Sequence, residues 1–387
     1  MNRILMTALG LVALTAAAQA QVKIGVITTL SGPAGYLGED SRDAILLAVE
    51  QEGGKLGGVP VQVLVEDDGL KPPNGKQIAE KFLKVDKVKI FTGTIFSNVA
   101  GAFVSDVLDD GGFFMSNNTG VATSKSNECH PNLFTAGWDV TVAASAGQNA
   151  NNLGFKRLYI MSLNYFAGTE SAAAVKKMFK GEIVGETYGR LDQTDFAAEI
   201  AQIRAAKPDA LYSFVPGGQG ITFLKQYAQA GMLGEVPMVV GAPSLDSRIL
   251  QAVGDAALGI HVSAPWNADL DNPASKQFVA AFQQKYNRLP TIYAAMAYDV
   301  TRLIGSGLKA VNGNVGDGKA FRAALLKADY ESVRGKVNFS KDQTAMTDWY
   351  NITPVKGADG KLSLKSNGLV FKNTGGLYAD LCKMPAN

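Results

Sequence analysis

The sequence predicts an α/β protein built from two hinged lobes. Short β-rich runs alternate with segments of helical periodicity along almost the whole chain, which is typical of a mostly parallel sheet covered by helices. The alternation comes as two series of about five strands each, separated by Cys129–Asn132. No connecting segment is of low complexity or rich in proline and serine, so we expect the chain to cross between the lobes several times.

Residues 1–20 have the pattern of a signal peptide. Arg3 precedes an apolar run from Ile4 to Ala18, and Ala18–Ala20 is a small-x-small cleavage pattern. The run is too short for a secure membrane span, although an N-terminal membrane anchor is the alternative. We therefore expect cleavage after Ala20, export to the periplasm and a mature chain of about 367 residues, a length that suggests two domains.

The first series opens with a strand at Val22–Ile27, which ends before the turn Ser31–Pro33 and leads into a helix. In an open α/β sheet, ligands bind in the crevice beyond the carboxyl ends of such strands. The other predicted elements of this series are strands Val61–Glu66, Lys89–Thr92 and Phe113–Ser116, and helices Gly75–Val85 and Asn98–Asp109.

The second series contains the longer run of elements. Its predicted strands are Arg157–Ser162, Ile183–Tyr188, Ala210–Phe214, Met238–Val240 and Gly259–Ser263. Its predicted helices are Val140–Leu153, Glu170–Phe179, Asp195–Ala206, Ile221–Gly231, Ser275–Tyr286, Ile292–Val311 and Ala320–Ala328. The end of the chain is β-like at Gly335–Phe339, Trp349–Pro354 and Leu369–Phe371, with a hairpin-type turn at Lys356–Gly360.

Composition and charge exclude several classes of function. Apolar residues make up 47% and charged residues 19%, which indicates a folded protein. The chain has 37 Lys and Arg against 35 Asp and Glu, so nothing indicates a nucleic-acid or polybasic membrane surface. With two distant histidines, His130 and His261, and no nucleophile-elbow or phosphate-loop motif, we expect neither an enzyme nor a bound cofactor or metal.

The only two cysteines, Cys129 and Cys382, form an even pair in an exported chain. The leading hypothesis is a disulfide, which closes so long a loop that the chain-entropy model gives roughly 5 kcal/mol of stabilisation. Two free thiols are the alternative.

Two polar loops follow predicted strands of the first series, at Thr94–Asn98 and Ser116–Gly120. Exposed N–H groups at a helix N-terminus, joined by a Ser or Thr hydroxyl, can hold a carboxylate. Loops that follow adjacent strands would converge on one site. The alternative is that the Ser, Thr and Asn residues of these loops only cap the helices that follow. Aromatic residues also gather near predicted loops, and core packing is the alternative for each: Tyr36, Phe96, Tyr165, Phe214, Trp266 and Tyr293.

Several motifs together resemble the type I periplasmic solute-binding proteins of ABC importers, and among them the branched-chain amino-acid-binding type. The motifs are Ser31–Pro33 with Tyr36 and Gly38, the loop Gly93–Ser97, Gly231, Leu289–Pro290, Tyr293–Ala295 and Tyr298–Asp299. The resemblance implies two Rossmann-like lobes joined by a three-crossing hinge. Lobe one would comprise 22–139 and 268–340, and lobe two 140–267 and 341–387.

The resemblance also implies a ligand site between the lobes. Ser97 and the Asn118, Thr119 and Gly120 region match loops that hold a ligand carboxylate. The segment Gly241–Ser244 lacks the lobe-two acid that holds an ammonium group in amino-acid binders, and Pro216 replaces a family aromatic residue. A buried ammonium without a carboxylate partner is costly, although Asp246 lies close in sequence.

These departures favour a ligand with a carboxylate and no amine. Asn164–Tyr165, Pro216–Gly218, Trp266, Leu289–Tyr293 and Cys382 are similar to the subgroup that binds benzoate-type aromatic acids. We therefore expect a monomeric receptor that delivers a small aromatic carboxylate to an ABC permease, with Tyr36, Phe96, Tyr165, Trp266 and Tyr293 around the ring. Pro216 is expected as a further ligand-binding residue. A receptor for a branched-chain amino acid or an amide is the first alternative, and an exported hydrolase is the alternative from another class.

Overall fold

The computed structural model describes residues 21–118 and 129–384, and within them the strands form two sheets. The strands of the first sheet are β1 (Val22–Thr28), β2 (Lys55–Leu56), β3 (Val59–Asp67), β4 (Ile90–Thr92), β5 (Phe113–Ser116) and β6 (Leu133–Thr135). Those of the second are β7 (Arg157–Leu163), β8 (Glu182–Gly189), β9 (Ala210–Phe214), β10 (Met238–Gly241), β11 (Ile260–Ala264), β12 (Asn338–Phe339), β13 (Ala345–Lys356) and β14 (Leu362–Thr374).

Helices cover both sheets. They are α1 (Gly35–Gln51), α2 (Pro72–Lys81), α3 (Ser97–Ala100), α4 (Val104–Asp109), α5 (Thr141–Asn152), α6 (Phe166–Met178), α7 (Ala197–Ala206), α8 (Gly217–Gln229), α9 (Met232–Glu235), α10 (Ser247–Val253), α11 (Pro273–Tyr286), α12 (Ile292–Ala310) and α13 (Gly318–Leu326). Within the described residues, no helix is both long and apolar enough to cross a membrane.

The first sheet has the strand order β2-β3-β1-β4-β5-β6 and is parallel apart from the β2–β3 hairpin. Its central strand β1 is buried on both faces, as its apolar residues Ile24, Val26 and Ile27 require. Because β1 lies between β3 and β4, the chain order reverses there, which opens a crevice at the carboxyl end of the strand.

The second sheet has the order β12-β13-β11-β10-β9-β7-β8, with β14 paired to β13. Strands β7 to β11 are parallel, and β13 runs antiparallel to β11. The three short β-like segments expected near the C-terminus each overlap a strand, β12, β13 or β14. Strands β13 and β14 are longer than expected and form one long hairpin around the predicted turn at Lys356–Gly360, because each strand pairs along almost its full length.

The two sheets are joined by three passages of the chain. The chain leaves the first sheet after β6, returns after β11 to helices α11 to α13, and enters the second sheet again before β13. Helix α12 packs on α1 and β3, which places it with the first sheet. The expected fold, two Rossmann-like units connected by three crossings, is confirmed.

A buried ion pair lies beside two of the passages. Arg334 and Asp299 are almost fully buried, and Arg334 Nη2 lies 2.7 Å from Asp299 Oδ2. The Arg334 guanidinium also donates to the carbonyl oxygens of Ala136 and Gly137, at 2.7 and 2.6 Å. The ion pair therefore attaches the first passage to helix α12.

The C-terminal tail is attached covalently. Cys129, just before β6, forms the expected disulfide with Cys382. The tail also contacts the second unit, where Lys177 Nζ lies 4.6 Å from the centre of the Tyr378 ring. The backbone N–H of Leu377 donates to Asp139 Oδ2 at 3.1 Å. The tail thus joins elements associated with both sheets.

One predicted helix is broken in the structure. The segment Asn98–Asp109 forms two short helices, α3 and α4, separated at Gly101–Phe103. Glycine has little preference for a helix interior, so the break at Gly101 is consistent with its backbone freedom. Most other predicted elements are present, with ends that differ by a few residues.

Candidate ligand-binding cleft

The carboxyl ends of the central strands of the two sheets face each other across a cleft. Strand β1 leads into the loop that contains Pro33, and β9 leads through Pro216 into helix α8, whose first turn contains Gly218. A Cβ atom added to Gly218 would lie only 2.8 Å from Pro33 Cβ. The two rims are therefore in contact, and glycine is required at this point of close approach.

The loops after β4 and β5 converge on the first-unit side of the cleft. The buried Asn118 side chain donates from Nδ2 to the carbonyl oxygen of Thr94 at 3.3 Å and to that of Ile95. The hydroxyl of Ser116 donates to the carbonyl oxygen of Asn118. The expected convergence of the two loops is thus present, whereas Thr119 and Gly120 lie outside the described residues.

Ser97 lies where these loops meet the second unit. Its Oγ accepts a hydrogen bond of 3.1 Å from the backbone N–H of Ala167, near the start of α6. The neighbouring Thr94 hydroxyl is buried and has no hydrogen-bond partner among the described residues. A hydroxyl and the N-terminal N–H groups of a helix are the donors that an anionic oxygen requires.

Aromatic rings line the cleft next to these polar groups. Phe96 and Tyr165 approach each other from opposite units, with ring centroids 6.2 Å apart, and Tyr165 stacks on Phe214 at 6.3 Å. Tyr293 contacts Trp138 edge to face at 5.2 Å. Burial raises the pKa of the Tyr165 and Tyr293 hydroxyls, so both stay protonated at neutral pH.

Trp138 is the residue of this group that the sequence analysis did not identify. It is almost fully buried, and its indole Nε1 has no hydrogen-bond partner within the described residues. A buried indole N–H usually has a partner, so this donor is available to a ligand. Its position immediately before the first predicted lobe boundary, at 139/140, is the only sequence signal that could have indicated it.

Two other predicted site residues occupy different positions. Pro216 precedes α8 at the rim of the cleft. The indole of Trp266 donates from Nε1 to Ser275 Oγ at 2.8 Å and its ring contacts Phe278, with centroids 6.1 Å apart. Trp266 also lines a cavity of 210 Å³ together with Pro290 and Leu364. Its contact with a ligand stays a prediction.

Asp246 and Tyr36 meet across the cleft. Asp246 caps helix α10, where its Oδ1 accepts the backbone N–H groups of Arg248 and Ile249, both at 2.8 Å. Its other oxygen, Oδ2, accepts the Tyr36 hydroxyl at 3.4 Å. Burial raises the pKa of Tyr36, and the charge of Asp246 raises it further. The Tyr36 hydroxyl is therefore a permanent donor, and the acid lies just beyond the Gly241–Ser244 segment.

Arg248 connects the two units at the edge of the cleft. Its Nη1 lies 3.2 Å from Asp40 Oδ1 and 3.4 Å from Glu39 Oε2, both on α1. The guanidinium carbon lies 4.7 Å from the centre of the Tyr36 ring, a cation–π distance. Asp40 is fully buried, which limits solvent screening of its pair with Arg248.

We expect an Arg248→Met substitution to weaken ligand binding about 5- to 10-fold, because an ion pair and a cation–π contact that join the two units are lost. Isothermal titration calorimetry with a bound ligand measures the change. An Arg204→Met variant is the control, since Arg204 pairs with Glu235 inside the second unit. Equal affinities for the Arg248 variant and the parent would show that this contact does not favour closure.

A pH dependence of stability is expected from Asp246. Burial is the main cause that raises the pKa of Asp246 to about 7, and the charge of Asp40 also raises it. The hydrogen bonds from Ile249 and Arg248 and the charge of Arg248 lower this pKa in part. In the unfolded chain an Asp titrates near about 3.9. Between these two pKa values the folded protein binds more protons than the unfolded chain. The contribution of Asp246 to the free energy of unfolding therefore decreases as pH rises from 4 to 7, and it is constant above that range.

An Asp246→Asn variant keeps the helix cap and removes the titration. The free energy of unfolding of the parent minus that of the variant is therefore expected to decrease from pH 4 to pH 7. Urea denaturation at several pH values gives this difference. Tyr36, Asp40, Arg248 and Tyr293 are the ionisable groups facing the carboxyl, and none of them is changed in the variant. A constant difference across the range would contradict the raised pKa.

Two α/β units, joined by three passages and closed over a polar and aromatic cleft, define a two-lobed solute-binding protein. Residues 21–361 match the family model described as periplasmic binding protein. The chain therefore belongs to the periplasmic binding protein family, whose members serve ABC transporters and are not enzymes. Within the described residues there is also no cluster of three or more side chains that could hold a metal ion.

Curated relatives and solved structures are similar over almost the whole chain. The Leu/Ile/Val-binding protein homolog 6 of Brucella melitensis biotype 1 is 25% identical over 372 residues, covering 93% of this chain and 94% of that protein. An R. palustris ABC transporter solute-binding protein in complex with benzoate is 29% identical, with a TM-score of 0.84 and coverage of 92% and 98%. A second R. palustris solute-binding protein, in complex with 4-hydroxybenzoate, is 25% identical, with a TM-score of 0.86 and coverage of 92% and 99%.

Proposed function

We propose that this protein captures a small aromatic carboxylate, such as benzoate or a hydroxybenzoate, between its lobes and delivers it to the permease of an ABC importer. The observation that carries the proposal is the junction of the Thr94–Asn98 and Ser116–Asn118 loops with an aromatic wall. The benzoate and 4-hydroxybenzoate complexes of the two R. palustris proteins support the same class of ligand.

The carboxylate is placed at the first-unit loops. The hydroxyls of Ser97 and Thr94 and the N–H groups at the start of α6 supply donors there. Charge-assisted hydrogen bonds to a carboxylate are shorter and stronger than neutral ones, and the low exposure of this region strengthens them further. Thr119 and Gly120 remain expected contributors to the same end.

The ring is placed among Phe96, Tyr165, Phe214 and Tyr293. These side chains belong to both units, so a ring held between them is buried only when the lobes close. Aromatic pairs at such distances contribute about 0.5–1.5 kcal/mol beyond the burial of area. These aromatic side chains therefore favour closure of the lobes over a planar ring.

A receptor for a branched-chain amino acid is the second candidate. One observation favours it: the buried acid Asp246 faces the cleft from the second lobe, where an ammonium group would need a partner. The curated Brucella relative carries a Leu/Ile/Val-binding name, which is consistent with this alternative.

A thermal-shift panel separates the two candidates. A ligand at about 100 times its Kd adds roughly 2.7 kcal/mol to stability. We expect benzoate or a hydroxybenzoate to raise the melting temperature, and leucine and valine to leave it unchanged. A shift with leucine or valine, and none with the aromatic acids, would assign the protein to the amino-acid class.

A serine variant tests the carboxylate end. Ser97→Ala is expected to weaken binding of the aromatic acid about 10- to 100-fold, because a hydrogen bond to a charged group is lost. Ser145→Ala is the control, since Ser145 is also buried but donates within its own helix, to the carbonyl oxygen of Val142. Unchanged affinity in the Ser97 variant would move the carboxylate elsewhere.

The cellular setting follows the same proposal. Residues 1–20 would be removed after Ala20, and the mature protein would act in the periplasm as a monomer. Lobe one would comprise 22–139 and 268–340, and lobe two 140–267 and 341–387. Mass spectrometry of the periplasmic fraction and light scattering of the purified protein test the cleavage site and the monomeric state.

A further inference from the structure

A cavity of 210 Å³ lies at the second passage between the two units, and we call it the hinge cavity. It is bounded by helix α10, by Trp266–Asp269 of the passage, by the segment Leu289–Ile292 that leads into α12, and by strand β14. Within the described part of the chain, its lining includes none of the side chains proposed above to hold the carboxylate or the ring. The hinge cavity is therefore a place distinct from the aromatic cleft.

The inner walls of the hinge cavity are apolar. Leu250, Ile292 and Ile352 line it and are almost fully buried. Leu362 and Leu364 of β14 line it as well, because side chains two residues apart on a strand lie on the same face. Protein interiors contain few voids larger than a water molecule, and an apolar cavity of about 150 Å³ binds benzene. The hinge cavity thus has the volume and the lining for a single substituted ring.

Hydrogen bonds hold these walls in place. The Asn267 side chain donates from Nδ2 to the carbonyl oxygen of Leu364 at 3.1 Å. The Asp269 carboxylate accepts the backbone N–H of Ser366 at 3.0 Å. These two bonds attach the passage to β14, and the indole of Trp266 is fixed by its own bond to helix α11. A preformed cavity requires little ordering when a molecule binds, which favours affinity.

The charges of the hinge cavity favour an uncharged occupant. Asp246 and Asp269 both line it, and Lys365 Nζ lies 4.0 Å from Asp269 Oδ2. A carboxylate would therefore meet two acids, and the lysine beside them is already paired with one. The Asp246 oxygens accept hydrogen bonds from the start of α10 and from Tyr36, so an ammonium group would have to displace these bonds. An uncharged apolar molecule avoids both costs.

The walls come from both units. The segment Leu289–Ile292 leads into α12, which packs on α1 and β3 of the first sheet, whereas β14 belongs to the second sheet. At the cavity wall, the Ser247 hydroxyl of α10 donates to the carbonyl oxygen of Pro290 at 3.4 Å. A molecule in the hinge cavity would therefore contact both units in their closed arrangement, and such contacts stabilise that arrangement.

We propose that the hinge cavity is a second small-molecule site, which takes an uncharged, compact apolar compound of the size of one substituted ring and thereby favours closure of the lobes. Closure also buries the ring of a ligand in the cleft, so each occupant should raise the affinity for the other. This coupling rests on the proposed function, whereas the existence of the second site does not.

Calorimetric titration of the purified protein with toluene tests the site. We expect saturable binding of one toluene molecule per chain. A Leu364→Trp substitution places a larger side chain in the cavity and should weaken toluene binding at least about 10-fold. Leu369→Trp is the matched control, because Leu369 lies on the same strand, is 53% exposed and does not line the cavity. Its toluene affinity should change less than about threefold.

The sign of the coupling distinguishes the hinge cavity from the cleft. In saturating toluene, the aromatic acid that stabilises the protein in the thermal-shift panel should bind at least about 5-fold more tightly. Weaker binding of the acid would show that toluene competes for the aromatic cleft, which would overturn the second site. Unchanged acid affinity would contradict the coupling to closure.

The second site and the proposed function fail in different ways. If the parent binds no toluene, or if the Leu364 variant binds it as tightly as the parent, there is no site in the hinge cavity, and the proposed function, tested with the acids alone, stands. If no aromatic acid binds, the proposed function is wrong, and the toluene titrations still decide on the second site. Should the Leu364 variant not fold, Leu362→Trp, partly buried at the start of β14, replaces it.

Discussion

An Asp299→Asn substitution is expected to lower the free energy of unfolding by about 3–5 kcal/mol, the cost of leaving a buried charge without its partner. Asp299 accepts hydrogen bonds from Ser332 Oγ and Arg334 Nε, both at 2.8 Å, and from the backbone N–H of Val333 at 3.0 Å. The Arg334 side chain is only 1% exposed, so water cannot replace the lost carboxylate. Urea denaturation followed by circular dichroism measures the change.

The control for this experiment is an exposed ion pair. Arg157 and Glu182 lie 2.7 Å apart with side chains 44% and 63% exposed, and Glu182→Gln is expected to cost less than about 1 kcal/mol. An Asp299 variant that loses no more stability than the Glu182 variant would contradict a structural role for the buried pair. Because Arg334 also holds Ala136 and Gly137, the Asp299 variant should lose ligand affinity as well.

A Cys382→Ser substitution is expected to cost about 2–5 kcal/mol of unfolding free energy, since the disulfide closes a loop across a sequence separation of 253 residues. The chain-entropy model attributes this loss to the greater freedom of the unfolded chain, and the structure adds a second contribution. Without the bond, the tail is held by non-covalent contacts, among them those of Leu377 and Tyr378 with Asp139 and Lys177. Thermal denaturation of the parent and the variant compares the two.

Chemical reduction of the parent distinguishes the loss of the disulfide from other effects of the Cys382→Ser substitution. A strong reductant should lower the melting temperature of the parent to that of the Cys382→Ser variant and should not change the variant. A Cys129→Ser/Cys382→Ser double variant should match the single variant, because the two residues act only as a pair. A parent that is insensitive to complete reduction would show that the tail is held by its non-covalent contacts.

Much of the fold was predictable because it depends on local periodicity. Strands such as Phe113–Ser116 and Ala210–Phe214 are found with the predicted limits, since a short apolar run between turn signals specifies a buried strand. The long β13–β14 hairpin was not predictable at its full length. Its strands carry exposed polar residues, so cross-strand pairing, and no hydrophobic pattern, sets where they begin and end.

The candidate site was likewise predictable from the sequence only in part. The loops at Ser97 and Asn118 were identified because small polar residues directly follow predicted strands, and adjacent parallel strands bring such loops together. Trp138 was missed because it lies in a passage between the units, where periodicity carries no information. The contact of Trp266 with a ligand stays a prediction, and the contact of its ring with Phe278 depends on the position of α11, which the sequence pattern does not give.

The sequence by itself determined the class of protein, because the order of strands, helices and turns along the chain is a local property that the family shares. Only the tertiary structure decided the polar end of the cleft. Tyr36 and Asp246 are separated by 210 residues, and Arg248 and Asp40 by 208. Contacts over such separations depend on how the two units close on each other. The pairing of an acid with a tyrosine across the cleft therefore emerges only when both sheets and all three passages are in place.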